Sequence, residues 1–114
     1  MPRDDATLLD IARAAGLVLQ FTADMNSDAF LQDVKTQSAA IHQLMVIGEA
    51  AKRLSTPFRE SHSDVPWMLI AGMRDRLIHG YDAVDLVEVW RTVEKDVPDL
   101  LRRVRPWLPD SATS

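Results

Sequence analysis

The sequence predicts an all-α fold, a bundle of four or five helices, on three observations. Apolar residues recur at three- and four-residue spacing through most of the chain. No stretch alternates apolar and polar residues beside turn residues. Only 4 of the 114 residues are glycine,. Residues 1–109 read as one helical domain, and the polar tail 110–114 reads as disordered. A hydrophobic content of 46% is that of a globular chain,.

The first helix is expected from Asp4 or Asp5, burying Leu8, Ile11, Ala12, Ala15, Val18, Leu19 and Thr22,. Asn26-Ser27 offers a cap for a short turn that holds Phe30 and Leu31,. A long helix follows over 35–54, with Ile41, Leu44, Met45, Gly48 and Ala51 on one stripe, widened by Ile47, Ala50 and Leu54. Gly48 removes a side chain where another helix can come close. Thr56-Pro57 reads as a stop, and the residues to Ser63 as a loop,. Pro66 opens a fourth helix whose stripe is Trp67, Ile70, Ala71, Arg74, Leu77 and Ile78, with Met73 off it and Gly80 ending it in a left-handed cap,. The segment 82–85 caps a fifth helix carrying Leu86, Val89, Trp90, Val93 and Val97. Pro98 kinks or splits that helix, since it lacks an N–H,. Trp67, Trp90 and Trp107 are expected to anchor the core, with an interface as the other place for Trp107.

Composition narrows the function. Without cysteine there is no disulfide, thiolate chemistry or cysteine-bound zinc,. His42, His62 and His79 lie on separate segments with no metal-ligand spacing, so neither metal nor cofactor is expected,. The chain shows no signal-peptide pattern and no apolar run that would span a bilayer, so a cytoplasmic location without membrane contact is expected,. At a net charge of −4 the domain as a whole does not attract polyanions; a nucleic acid would need a local arginine cluster, and a basic partner protein is the alternative,.

The candidate site is Arg74-Asp75-Arg76-Leu77-Ile78-His79-Gly80-Tyr81. Arginine offers a fixed fork for a phosphoryl oxygen, histidine a proton donor or acceptor near neutral pH, and tyrosine a modifiable hydroxyl. Two readings of Arg74 and His79 stand side by side: a solvated helix end favoured by the helix dipole, or a catalytic pair. Within one helix the two side chains stand about 140° apart. A two-fold homodimer with these segments at its axis resolves that mismatch by bringing two arginines and two histidines into one cleft. Glu49 reads as an ion-pair partner of Arg53, or as a carboxylate reaching towards Arg74 or His79. His42, on the stripe of Met45 and Glu49, reads as structural. Arg102, Arg103 and Arg105 read as a solvated helix end, with RNA contact the other option.

Arg74-x4-His79-x-Tyr81 resembles the signature of the HEPN superfamily, and specifically its HepT-like toxins. Asp10-Ile11, Ile47-Gly48-Glu49-Ala50-Ala51, Val65-Pro66-Trp67, Gly72-Met73-Arg74 and Val89-Trp90 follow in the family's order. The resemblance implies a homodimeric toxin that acts as a metal-independent endoribonuclease. In it Arg74 binds the scissile phosphate, His79 relays the proton, and a 2′,3′-cyclic phosphate is left. It also implies a cognate minimal nucleotidyltransferase antitoxin that silences the toxin by transferring AMP to Tyr81. The alternative within the superfamily is an inactive helical subunit that binds such a nucleotidyltransferase. Related sequences often carry asparagine after the arginine; here it is Asp75, which can pair with Arg76 or weaken the local positive field.

Overall fold

Two long helices, α1 (Arg3–Phe21) and α3 (Val34–Arg53), pack along each other and form the centre of the domain. The structure is a computed structural model and describes residues 3–79 and 83–109. On α1 the buried face is Leu8, Ile11, Ala14, Ala15 and Val18, with Thr7 and Thr22 at its ends; Ala12 and Leu19 are only partly covered. On α3 it is Gln37, Ala40, Leu44, Ile47, Gly48, Ala50 and Ala51, whereas Ile41 and Met45 lie at its margin. Alanines among branched residues let the two rods come close. Each fully buried leucine or isoleucine here contributes roughly 1.5–3 kcal/mol.

Local capping sets the boundaries. Asn26 accepts the Ala29 N–H at 2.9 Å to start α2 (Ser27–Leu31), which buries Phe30. The Phe30 carbonyl accepts from Gln37 Nε2 at 2.9 Å, and its ring meets that of Trp90 at 5.1 Å. Asp33 starts α3 by accepting from both the N–H and the hydroxyl of Thr36,.

The expected loop after Thr56 is instead a helix, α4 (Thr56–Ser61). Ser55 caps it by accepting the Phe58 N–H at 3.2 Å, and Pro57 sits in the first turn, where a missing N–H has no partner to lose,. One face of α4 then joins an aromatic cluster. Phe58, His62, Trp67 and Trp107 stack within 4.1–6.4 Å, and Trp67 Nε1 donates to the His62 carbonyl at 3.0 Å. Trp107 thus packs inside the domain, on a short 3₁₀ turn (Arg105–Trp107).

The expected single fourth helix is two short ones, α5 (Trp67–Ala71) and α6 (Met73–Leu77), broken at Gly72. It also stops earlier than Gly80. Ile78 is extended (φ −119°, ψ 114°), and β1 (Ile78–His79) pairs antiparallel with β2 (Ala83–Val84), Ile78 opposite Val84 and His79 opposite Ala83. The Asp85 N–H donates to the Leu77 carbonyl at 2.9 Å and closes the hairpin base. This small ladder is the one sheet among the described residues. The left-handed cap expected at Gly80, and the disorder expected over 110–114, lie outside the described residues.

Asp85 caps α7 (Leu86–Arg91), accepting the Glu88 N–H at 3.0 Å. The helix then widens into a π turn (Thr92–Asp96) and resumes as α8 (Val97–Val104). The expected disturbance at Pro98 takes this form: its ring and missing N–H disrupt the bond to the preceding turn, and one wider turn absorbs the strain. Val89, Val93, Val97, Leu101 and Val104 all remain buried, and α8 packs on α1. Among the described residues no helix is long and apolar enough to cross a membrane.

Asp4 ties the start of α1 to the start of α4. Its carboxylate accepts from the Ser55 N–H at 2.9 Å and from the Ser55 hydroxyl at 2.6 Å. These two bonds hold its pKa below the ordinary 3.8,. A depressed carboxylate stabilises the fold above its unfolded pKa and loses that contribution as pH falls through its folded one. Asp4→Ala is therefore expected to cost about 1 kcal/mol at pH 7. In urea titrations the gap to the parent protein should close as the pH drops below about 4; a gap that stays constant down to pH 2.5 would contradict the role of these bonds.

Candidate functional site

Gly48 is where the site begins. A Cβ there would stand 3.2 Å from the Ile70 carbonyl oxygen and 3.7 Å from that of Ala71. The last turn of α5 therefore lies directly on the backbone of α3, as the glycine suggests. At Gly72 (φ −90°, ψ 12°) the chain turns, its N–H donating to Met68 O at 3.0 Å, and α6 sets off on a new axis. Met73 and Leu77 face the core, which turns Arg74 outward. This corrects the expected stripe: Met73 is buried and Arg74 is exposed. The Gly72 break re-phases the second half of the helix, so the spacing counted from Trp67 does not carry through.

Arg74 opens into a cleft of about 330 Å³ between α3 and α6, lined by Leu44, Met45, Gly48, Glu49, Lys52, Ala71 and Ile78. Its floor is apolar and its rim carries two cations, Lys52 and Arg74, with Glu49 between them. Glu49 Oε2 lies 2.8 Å from Lys52 Nζ, one turn along α3. The Lys52 bond and charge hold the Glu49 carboxyl below its ordinary value of 4.5, and the charges of Arg53 and Arg74 add to this. Glu49 is thus a carboxylate at neutral pH. The expected pair of Glu49 with Arg53 does not form: Arg53 reaches back to Asp10 at 3.4 Å. Arg74 itself makes no ion pair among the described residues, and neither does Asp75, which is exposed. Of the two roles read for Asp75, an ion pair with Arg76 is not made among the described residues; the other is to weaken the local positive field.

The hairpin ladder carries the chain on from α6 to His79, two residues past the helix. The 140° separation expected within one helix does not apply, because the helix ends at Leu77. The imidazole of His79, together with Gly80, Tyr81 and Asp82, lies outside the described residues. His42, read as structural, is exposed on α3. Arg102 and Arg103 bond to Asp99, and Arg103 also to Asp64 at 3.0 Å. That is the solvated helix end expected of the basic run. No three His, Asp or Glu residues among those described come together as metal ligands.

Two features escaped the sequence reading. Lys52 as a member of the site was signalled by its place three residues after Glu49. The hairpin was signalled by Ile78 and Val84 flanking a glycine, a pattern that the helical stripe before it obscured.

An acidic, mainly helical domain with Arg74 exposed at a cleft, ahead of a hairpin that carries His79, defines the class as a small helical bundle. The comparisons make that class specific. The family model described as Ribonuclease HepT-like matches residues 11–106. A Thermococcus cleftensis protein named "Probable ribonuclease HepT" is 45% identical over 93 residues, covering 82% of this chain and 84% of that one. A Methanocaldococcus jannaschii protein named "Putative RNase MJ0127" is 39% identical over 112 residues, covering 96% and 93%. A Caldanaerobacter subterraneus protein named "Putative RNase TTE0752" is 38% identical over 95 residues, covering 83% and 85%. No solved structure matches. This chain belongs to the HepT-like ribonuclease family.

The Gly48 contact gives a direct test of how the cleft is held. Gly48→Val places branched carbon against the backbone of α5, which cannot rotate aside, and is expected to destabilise the domain by about 1–3 kcal/mol. Thermal unfolding measures this; an unchanged or raised midpoint would show that α5 does not rest on α3 at this point.

Proposed function

We propose that this chain is the toxin of a toxin–antitoxin pair and cuts RNA in the cleft at Arg74. The observation that carries the reading is Arg74 itself: exposed, free of ion pairs among the described residues, beside Lys52, and five residues before His79. Family membership supports the same reading. Arg74 and Lys52 hold the scissile phosphate, and the guanidinium stabilises the added negative charge on the phosphorane. The ribose 2′-hydroxyl attacks phosphorus and the bond to the 5′-oxygen breaks. His79 either takes the 2′ proton or gives one to the departing oxygen. The products are a 2′,3′-cyclic phosphate and a 5′-hydroxyl. Glu49 keeps Lys52 and Arg74 aligned through its charge, and takes no proton itself. No step calls on a metal ion.

The working unit of this reading is a homodimer that brings two such segments together. Its support is an exposed apolar surface on α5, where Met68 is 85% and Leu69 57% accessible just ahead of α6,. Arg74→Ala and His79→Ala are each expected to lower RNA cleavage by about 10²-fold or more with unchanged circular dichroism. Cleavage by the parent protein is expected to persist in EDTA, and the protein is expected to sediment as a dimer. Activity that requires Mg²⁺, or that survives either substitution, would overturn the mechanism.

Control is assigned to Tyr81. The cognate partner, a minimal nucleotidyltransferase, joins the tyrosine oxygen to the α-phosphorus of ATP and releases pyrophosphate. The added AMP places bulk and negative charge near the site and repels RNA phosphate. Intact-mass spectrometry after co-expression should show AMP on the parent chain and none on Tyr81→Phe. Tyr81→Phe should keep its nuclease activity and escape silencing. Full neutralisation with Tyr81 unmodified would mean that the partner acts by binding alone.

A further inference from the structure

A second cleft lies on the other side of α6. Arg74 and Arg76 are two positions apart on one helix, so their side chains leave it about 200° apart. Arg76 lines a cavity of about 240 Å³ between α5–α6 and the π turn with α8. Its lining is largely apolar, with Ile47, Ile70, Met73, Val97 and Leu100 inside and Leu69 at the exposed edge. That volume is below the roughly 300–1,000 Å³ of a drug-sized site, and suits one ring system better than a whole nucleotide.

The charges around it sort into those already engaged and those left over. Arg91 is held by Glu88 through two nitrogens. Arg103 is held by Asp64 and Asp99, and Asp99 also by Arg102. The Thr92 hydroxyl donates to the Glu88 carbonyl at 2.9 Å. Two groups remain. Arg76 Nε is buried with no hydrogen-bond partner among the described residues, and Asp96, on the π turn, makes no ion pair among them. A buried, unmatched donor costs about 1–3 kcal/mol, so a native structure that keeps one calls for an explanation. The cavity therefore combines a largely apolar lining with the Arg76 guanidinium and with Asp96, a carboxylate that acts on Arg91 through its charge but makes no ion pair among the described residues.

We propose that this cavity binds a guanine base. Guanine offers two acceptors, O6 and N7, on the edge that an arginine fork matches. Its N1–H and N2–H₂ donors complement the Asp96 carboxylate. Adenine fails on the arginine side, because its N6–H₂ would meet the guanidinium donor to donor. Pyrimidines fill the cavity poorly and lack the paired acceptors. As a subsite for an RNA substrate, the cavity rests on the proposed function: one helix thickness, about 10–12 Å, separates it from Arg74, so the base it reads flanks the cut bond. Base binding itself requires no cleavage.

The test is calorimetric titration of the full chain with 5′-GMP, 5′-AMP, 5′-CMP and inorganic phosphate. None of them has a phosphodiester to cut, so failure of the nuclease reading leaves this result interpretable. GMP is expected to bind at one site per chain, roughly 10- to 100-fold more tightly than AMP, with CMP and phosphate weaker still. Arg76→Gln and Asp96→Asn should each weaken GMP by at least about tenfold with the helical circular dichroism intact. Should Arg76→Gln not fold, Asp96→Asn, at an exposed position, gives the reading alone. No GMP binding to millimolar concentration, equal binding of AMP or phosphate, or GMP affinity unchanged in the variants would each overturn the proposal.

Discussion

The contact on which the functional half of the molecule depends is the seating of α5 on Gly48. Backbone lies against backbone there, with 3.2 Å between the carbonyl oxygen of Ile70 and the place a Cβ would take. Because α3 is fixed by its long pairing with α1, the end of α5 is fixed with it. The turn at Gly72 and the burial of Met73 and Leu77 then leave one orientation for Arg74, outward over the cleft. A larger residue at position 48 would move the arginine and the hairpin start together. The site is thus positioned by a packing constraint about one turn of chain away from the chemistry.

Charge pairing sets this arginine apart from those that are held by a neighbouring carboxylate. The chain is acidic, and several of its surface cations are taken up locally: Lys52 by Glu49, Arg53 by Asp10, Arg91 by Glu88, Arg102 by Asp99, and Arg103 by Asp99 and Asp64. Each exposed pair contributes about 0–1 kcal/mol to stability, so their weight in folding is small. Their larger effect is on the electric field: each cancels positive charge where it forms, whereas Arg74, in no ion pair among the described residues, keeps its charge at the cleft it shares with Lys52. A net negative domain can in this way favour a phosphate at one point without attracting polyanions in general.

Pro98 shapes the opposite half by the same kind of constraint. The bond it removes widens the helix over Thr92–Asp96, and that wider turn forms one wall of the second cavity while Val93 and Val97 stay in the core. A helix interruption that costs stability thereby places a carboxylate at a cleft. The aromatic cluster of Phe58, His62, Trp67 and Trp107 fastens the C-terminal 3₁₀ turn to α4 and the first residue of α5, so both ends of the second half are anchored.

Much of the fold was legible because it depends on local spacing. The buried faces of α1 and α3, the caps at Asn26 and Asp85, the close approach at Gly48 and the disturbance at Pro98 all follow from residue type and helical period. Arg74, His79 and Tyr81 were legible as a motif, since their order is a property of the chain. What failed was any statement that carried a helical phase across Gly72, or took Thr56-Pro57 as a stop. A glycine inside a regular apolar pattern does not reveal whether the helix bends there; the packing of Met73 and Leu77 decides. Likewise the choice between Arg53 and Lys52 for Glu49, and the outward turn of Arg74, are set by what stands across from each side chain. Spacing along the chain determined which groups this protein has for chemistry on phosphate. Only the tertiary structure decided which of them face open space, because burial and charge pairing depend on neighbours that are distant in sequence.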